Sequence, residues 1–140
     1  MKMIVSTRGR YAIRVLLDLA NNSKDEYIPM KEVAQRQEVS LKYLEKIMPI
    51  LVKEKLIEGV HGKGGGYKLT KKPEEYIIGD IIRLTEGTLA PVACLECDAP
   101  ACDKREKCLT VPMWSKLNDI INEFFDGITL ADLLNKKFSL

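Results

Sequence analysis

Four cysteines fall within 15 residues, spaced Cys94-x2-Cys97-x4-Cys102-x5-Cys108, and the 140-residue chain has no others. Thiolates ligate iron–sulfur clusters and zinc alike, and the Cys-x2-Cys pair serves both, so ligand type alone leaves the metal open. Exposed thiols of low pKa would also make a sensor without any metal. A second chemical feature is the run His61-Gly62-Lys63-Gly64-Gly65-Gly66-Tyr67. It lacks the spacing of a phosphate-binding loop and the Ser or Thr after its lysine, and it runs into a strand-like segment where a nucleotide loop requires a helix. It reads instead as a hairpin tip, where glycines such as Gly64 let the backbone approach a phosphate and Lys63 and His61 supply donors. His61 is the only histidine, it sits in this tip, and no nucleophile–base pair is apparent, so an enzyme is not expected.

Apolar spacing supplies the elements that must carry these residues. Residues 7–22 place Ala12, Val15, Leu16, Leu19 and Ala20 on one helical stripe that ends at Asn21-Asn22-Ser23. After an extended Tyr27-Ile28-Pro29, a brief helix over 30–36 turns Met30, Val33 and Ala34 inward, and Gln37-Glu38-Val39 turns the chain. Ser40 is a good N-cap for the next helix, whose buried stripe is Leu41, Leu44, Ile47, Met48 and Leu51. Pro49 should kink that helix, leaving 40–48 straight. Segments 56–60 and 67–70 have strand composition and flank the glycine tip. Ile77, Ile78, Ile81, Ile82 and Leu84 make a short helix closed by Gly87, and Thr129 caps a last helix through Leu134.

Short helix, turn, second helix and glycine-tipped hairpin, in that order, form a winged helix-turn-helix, whose second helix enters the DNA major groove by its N-terminal residues. The outward positions there are Ser40, Lys42, Tyr43, Glu45 and Lys46. Lys42 and Lys46 can meet phosphate or guanine, Ser40 and Tyr43 can donate to phosphate, and Glu45 can accept from a cytosine amino group. The alternative is a solvated face holding an internal ion pair.

Segment 111–126 differs in kind. Trp114, Leu117, Ile121 and Phe124 are spaced 3, 4, 3, with Ile120 and Phe125 widening the face. One small core cannot easily absorb all of it, so the pattern predicts a helix buried between its own domain and a partner helix, with an ordinary core helix as the alternative. The expected fold is mainly α with a small β-hairpin wing. A winged helix-turn-helix over residues 1–72 precedes a cysteine-loop sensor and a long dimerisation helix over 73–140.

Charge divides at the same place. Residues 1–72 hold 15 Lys and Arg against 8 Asp and Glu, and residues 73–140 hold 7 against 12, so a whole-chain charge of +2 conceals +7 and −5. A basic half implies a polyanion partner. No apolar run approaches the roughly 20 residues of a membrane span, and the start has no apolar region ahead of a cleavage site. A cytoplasmic location without membrane contact is expected, and in that reducing compartment thiols or metal ligands are favoured over disulfides.

Ser6-Thr7-Arg8-Gly9-Arg10-Tyr11-Ala12, Ser40-Leu41-Lys42-Tyr43-Leu44-Glu45, Gly62-Lys63-Gly64-Gly65-Gly66-Tyr67 and Cys108-Leu109-Thr110 with Trp114 together resemble the IscR, NsrR and CymR group of bacterial transcription regulators. The resemblance covers nearly the whole chain. It implies a homodimer joined by the 111–126 helix, binding double-stranded DNA with an inverted-repeat operator, as a repressor in the first instance. It implies base contacts from Lys42 and Glu45 and a minor-groove contact from His61, where IscR-type members carry arginine. It also implies an iron–sulfur cluster, [2Fe–2S] before [4Fe–4S], although the group has cluster-free members. Cys102 and Cys108 match the second and third family cysteines, and Cys94 ranks above Cys97 for the first. Val111 stands where IscR-type members have a histidine ligand, so coordination must differ, and four-cysteine binding is favoured. Zinc and metal-free redox thiols stay open, as does an adaptor or metal-storage module that uses its winged helix for protein contacts.

Overall fold

The computed structural model describes residues 5–22, 25–96 and 104–136, so the candidate ligands Cys97 and Cys102 lie outside the described residues. Helix α1 (Thr7–Asn22) buries Ala12, Val15, Leu16 and Leu19, the expected stripe, together with Asp18. Helix α2 (Met30–Gln37) buries Val33 and Ala34 and stops where Glu38 turns left-handed, at φ 54°. The chain then re-enters helix α3 (Leu41–Lys53), whose first turn is capped by Ser40: its Oγ accepts the Tyr43 N–H at 3.0 Å. Strands β1 (Ile57–Val60) and β2 (Gly66–Leu69) pair antiparallel, with Ile57 opposite Leu69 and Val60 opposite Gly66. Helix α4 (Ile78–Glu86) ends at Gly87, whose φ of 82° suits a residue without Cβ. Helix α5 (Val111–Asp126) and the short α6 (Leu130–Leu134) complete the fold, the latter held by reciprocal Thr129 and Asp132 caps.

Among the described residues the architecture is mainly helical with one two-stranded hairpin, a winged helix. A single apolar core runs from Ala12 and Leu16 of α1 through Leu44 and Leu51 of α3 to Ile81 of α4 and Leu130 of α6.

One local expectation needs correction. Leu41 is 42% exposed, because α3 first meets the core one turn in, at Leu44. Helix α3 runs through Pro49 and continues to Lys53. The missing proline N–H strands only the carbonyl four residues back, on Glu45, and both residues are exposed, so water can satisfy it.

Helix α5 is left largely uncovered by the chain's own core. None of its residues is buried: Met113, Leu117, Ile120 and Phe124 are 54, 37, 51 and 55% exposed. Only Ile121 and Phe125 reach the edge of the core. It is not an ordinary core helix.

Candidate nucleic-acid interface and cysteine loop

The α2–α3 turn is set by a polar clamp. Asp18, 4% exposed, lies within the apolar stripe of α1 and would be costly there without partners. Arg36 of α2 supplies a two-pronged contact, donating from Nη2 to Oδ1 at 2.8 Å and from Nε to Oδ2 at 3.0 Å, and Gln37 Nε2 donates to Oδ2 at 2.9 Å. The hydrogen bonding to Asp18 raises the Arg36 guanidinium above its ordinary pKa. Arg14, one turn before Asp18, donates to the Gln37 side chain at 3.0 Å and to its carbonyl at 2.8 Å. Asp18 and Arg14 of α1 thus grip the last residue of α2, immediately before the turn that aims α3.

On the exposed side of α3, Lys42, Glu45 and Lys46 are all solvent-facing. No ion pair among the described residues involves any of them, so the internal pair weighed as an alternative does not form. Ser40 caps the helix with its oxygen and keeps its hydroxyl proton available to an acceptor. Tyr43 is placed differently: it is half-buried, with its ring edge-on to Tyr11 at 5.6 Å. Arg14 lies over the other ring of that pair, 4.6 Å from the Tyr11 centroid, so α1 braces α3 through an edge-to-face ring contact.

In the wing, His61, Gly62, Lys63 and Gly64 are exposed at the tip, and Gly62 and Gly64 take φ values of 94° and 81°. Gly66 is constrained by a neighbour as well. A Cβ there would collide with the Ile28 carbonyl, because Ile28 and Tyr67 exchange two backbone hydrogen bonds of 2.8 Å.

The cysteine loop leaves α4 and enters α5. Cys94 sits in a short helical turn (Ala93–Leu95), half-exposed, and Cys108, also half-exposed, is separated from α5 by Leu109 and Thr110. Both are free thiols. The Thr110 hydroxyl, 3.3 Å from Cys108 Sγ, and the N–H groups of Thr110 and Val111 draw the Cys108 thiol below its ordinary pKa. That environment favours a thiolate, the form in which sulfur ligates a metal. Among the described residues no three ligand-type side chains converge. Val111 opens α5 and offers no donor atom.

Of the expected seam residues, Leu117 and Phe124 are exposed, while Trp114 and Ile121 are half-buried. Met113 and Ile120 belong to the same exposed face and Leu109, 95% exposed, lies just before it. Asp18, Arg14 and Tyr11 shape the site although the sequence analysis does not single them out. Only Asp18 left a signal, as an acid inside an apolar stripe, which requires a cation nearby.

A family model described as "Rrf2: Iron-dependent Transcriptional regulator" matches residues 5–136. The chain is 38% identical over 132 residues to Protein rrf2 of Nitratidesulfovibrio vulgaris, covering 94% of this chain and 87% of that one. It is 35% identical to the HTH-type transcriptional regulator IscR of Pectobacterium atrosepticum, with 96% and 81% covered. Among solved structures, CymR, the global cysteine regulator of B. subtilis, superposes with a TM-score of 0.77 at 31% identity, covering 97% of this chain and 98% of that one. T. potens IscR gives 0.72 at 33% identity, with 99% and 89% covered.

Proposed function

Since the chain belongs to the Rrf2 family of transcriptional regulators, we propose that it acts as a homodimer on an inverted-repeat operator, chiefly as a repressor, and that its cysteine loop governs binding. The family consists of regulators rather than enzymes, and the winged helix is its DNA-binding unit. The observation that carries the proposal is the two-sidedness of α3. Leu44, Ile47, Met48 and Leu51 are almost wholly buried, while Lys42, Glu45 and Lys46 face solvent free of ion pairs among the described residues. In this reading Lys42, Lys46 and the Ser40 hydroxyl meet phosphates, Glu45 reads a base edge, and Tyr43 holds the helix against α1 while its hydroxyl donates to phosphate. His61, Lys63 and the Gly64 backbone bring the wing to the adjacent groove and strand. The site of action is the cytoplasm, where the DNA is. No described helix is long and apolar enough to cross a membrane.

Two recognition helices related by a twofold axis must meet successive major grooves, so the half-sites should lie about one helical turn, roughly 10 base pairs, apart. Helix α5 provides the seam through Trp114, Leu117, Ile121 and Phe124, with Met113 and Ile120 extending it.

The donor chemistry of the loop fits an iron–sulfur cluster, because Cys108 is held in a thiolate-favouring environment and Cys94 is accessible; the family resemblance, not these residues, favours [2Fe–2S] over [4Fe–4S]. Cys94, Cys97, Cys102 and Cys108 would hold it. A bound cluster would supply a tie whose strength depends on iron supply and redox state. The chain's own residues connect that loop to the DNA-binding half. Glu86, the last residue of α4, accepts from the Ser6 N–H at 2.9 Å and the Ser6 hydroxyl at 2.5 Å, and a Cβ on Gly9 would meet the same carboxylate at 2.7 Å. Arg83, one turn earlier, donates to both oxygens of Asp126 at 2.7 and 2.8 Å and to Asn122 at 2.9 Å. Helix α4 therefore ties the first turn of α1, through Glu86 where the chain leaves α4 for the loop, to the C-terminal part of α5 through Arg83.

The test is anaerobic purification of the protein and its four single Cys→Ser variants, with iron, sulfide, absorption and operator affinity measured on each. Cluster loss in Cys102→Ser and Cys108→Ser, with changed operator affinity, is the expected result. A full cluster in either variant overturns the ligand assignment, and wild-type protein with zinc or no metal replaces the cluster by the corresponding alternative.

A further inference from the structure

The wing is a short ribbon with little packing of its own. Ile57 is the only fully buried residue of its two strands, and a groove of about 570 Å³, lined by Pro29, Pro49, Val52 and Val60 among others, opens between the hairpin and α3. Val52 and Val60 remain 39 and 47% exposed beside it. What fixes the direction of such a ribbon is its backbone attachments, and two separated attachments are needed, since a ribbon held at one point can pivot. The first is the pair of Ile28–Tyr67 hydrogen bonds at the start of β2.

The second is at the root. The Tyr76 side chain is 1% exposed, and its hydroxyl gathers both strand ends: it donates to the Leu56 carbonyl at 2.5 Å and accepts from the N–H groups of Thr70 and Lys71 at 3.1 and 3.3 Å. Thr70 adds a crosslink of its own, donating from Oγ1 to the Lys55 carbonyl at 2.6 Å. The backbone of Tyr76 points elsewhere. Its carbonyl accepts from Leu130 N–H at 2.9 Å, and the neighbouring Ile77 bridges Thr129, at the corner where α5 gives way to α6. One residue thus joins the wing root to the end of α5.

Resting on the proposed DNA-binding role, we propose that Tyr76 is the positioning residue of the wing: its hydroxyl locks the hairpin root to the α5–α6 corner, so that Lys63 reaches DNA in a fixed relation to the twofold axis. A buried hydroxyl that satisfies three backbone groups is not a packing device, because phenylalanine would fill the same space.

Tyr76→Phe keeps the ring in the core and removes only those three bonds. Operator affinity should fall by about the same factor as in Lys63→Ala, and the slope of log affinity against log salt should flatten by about one unit in each, as expected when a single phosphate is no longer neutralised. The double variant should bind no more weakly than either single one, whereas Tyr76→Phe combined with Lys42→Ala should be additive. Hydrogen exchange should quicken at the Thr70 and Lys71 amides in the folded protein. Thr70→Val, an exposed change at the same root, should act in the same direction and provides the test should Tyr76→Phe fold poorly. Wild-type affinity and salt slope in Tyr76→Phe, or effects that add to those of Lys63→Ala, would overturn the positioning role. If Lys63→Ala alone changes neither quantity, the wing contact itself is wrong and the positioning role falls with it; a Lys63 effect that Tyr76→Phe and Thr70→Val fail to reproduce sinks the positioning role alone.

Discussion

Helices α3 and α5 are both amphipathic and of similar length, yet α3 has four buried residues and α5 has none. The contrast separates two uses of the same pattern. In α3 the apolar stripe is consumed by the chain's own core and the opposite, charged face is left exposed, the face that the proposed function gives to DNA. In α5 the apolar face itself is left over, and the proposed homodimer would cover it with a second copy of the same helix. Substitutions on the two stripes should therefore damage different properties.

The largest effect is expected in α3. Leu51→Ala empties a fully buried site and should cost roughly 2–5 kcal/mol of folding stability, read as a lowered midpoint in urea unfolding. Leu117→Ala together with Ile120→Ala should barely move the unfolding of the monomer, because both side chains are already half in water. The same pair should raise the dimer dissociation constant by a hundredfold or more, on the order of 3 kcal/mol, measured by sedimentation equilibrium. A double variant that remains dimeric at micromolar concentration would erase the distinction between the two helices.

Smaller effects sharpen the account of the charged face. Glu45→Ala should relax base preference at one operator position by about 1–3 kcal/mol, with little change on random DNA. Lys42→Ala should weaken operator and random DNA alike and flatten the salt slope by about one unit. Fluorescence titrations on both DNAs across a salt series distinguish the two roles, and equal behaviour of the two variants would contradict them.

Most of this fold was legible because each element carries its own signal. The stripe Ala12, Val15, Leu16, Leu19 located α1 to the residue, the Ser40 cap located α3, and Gly87 located the end of α4. The four cysteines and the glycine tip stood out by type. What was not legible depends on contacts distant in sequence. Tyr76 meets Leu56, 20 residues away, and Asp18 meets Arg36, 18 residues away, and no periodicity encodes either pairing. Tyr43 faces outward on a helical wheel, yet Tyr11, from another helix, covers part of it. Leu41 fits the apolar stripe by spacing but overhangs the core, since a stripe specifies a direction and not where the neighbouring helix ends.

The most direct test of the central claim is the stoichiometry and salt dependence of the complex with a duplex carrying one inverted repeat, its half-sites about 10 base pairs apart. Sedimentation of that complex should give two chains per duplex, with affinity falling steeply as salt rises and dropping sharply when one half-site is scrambled. One chain per duplex, or unchanged affinity for the single half-site, would contradict a dimeric regulator built on α3 and α5.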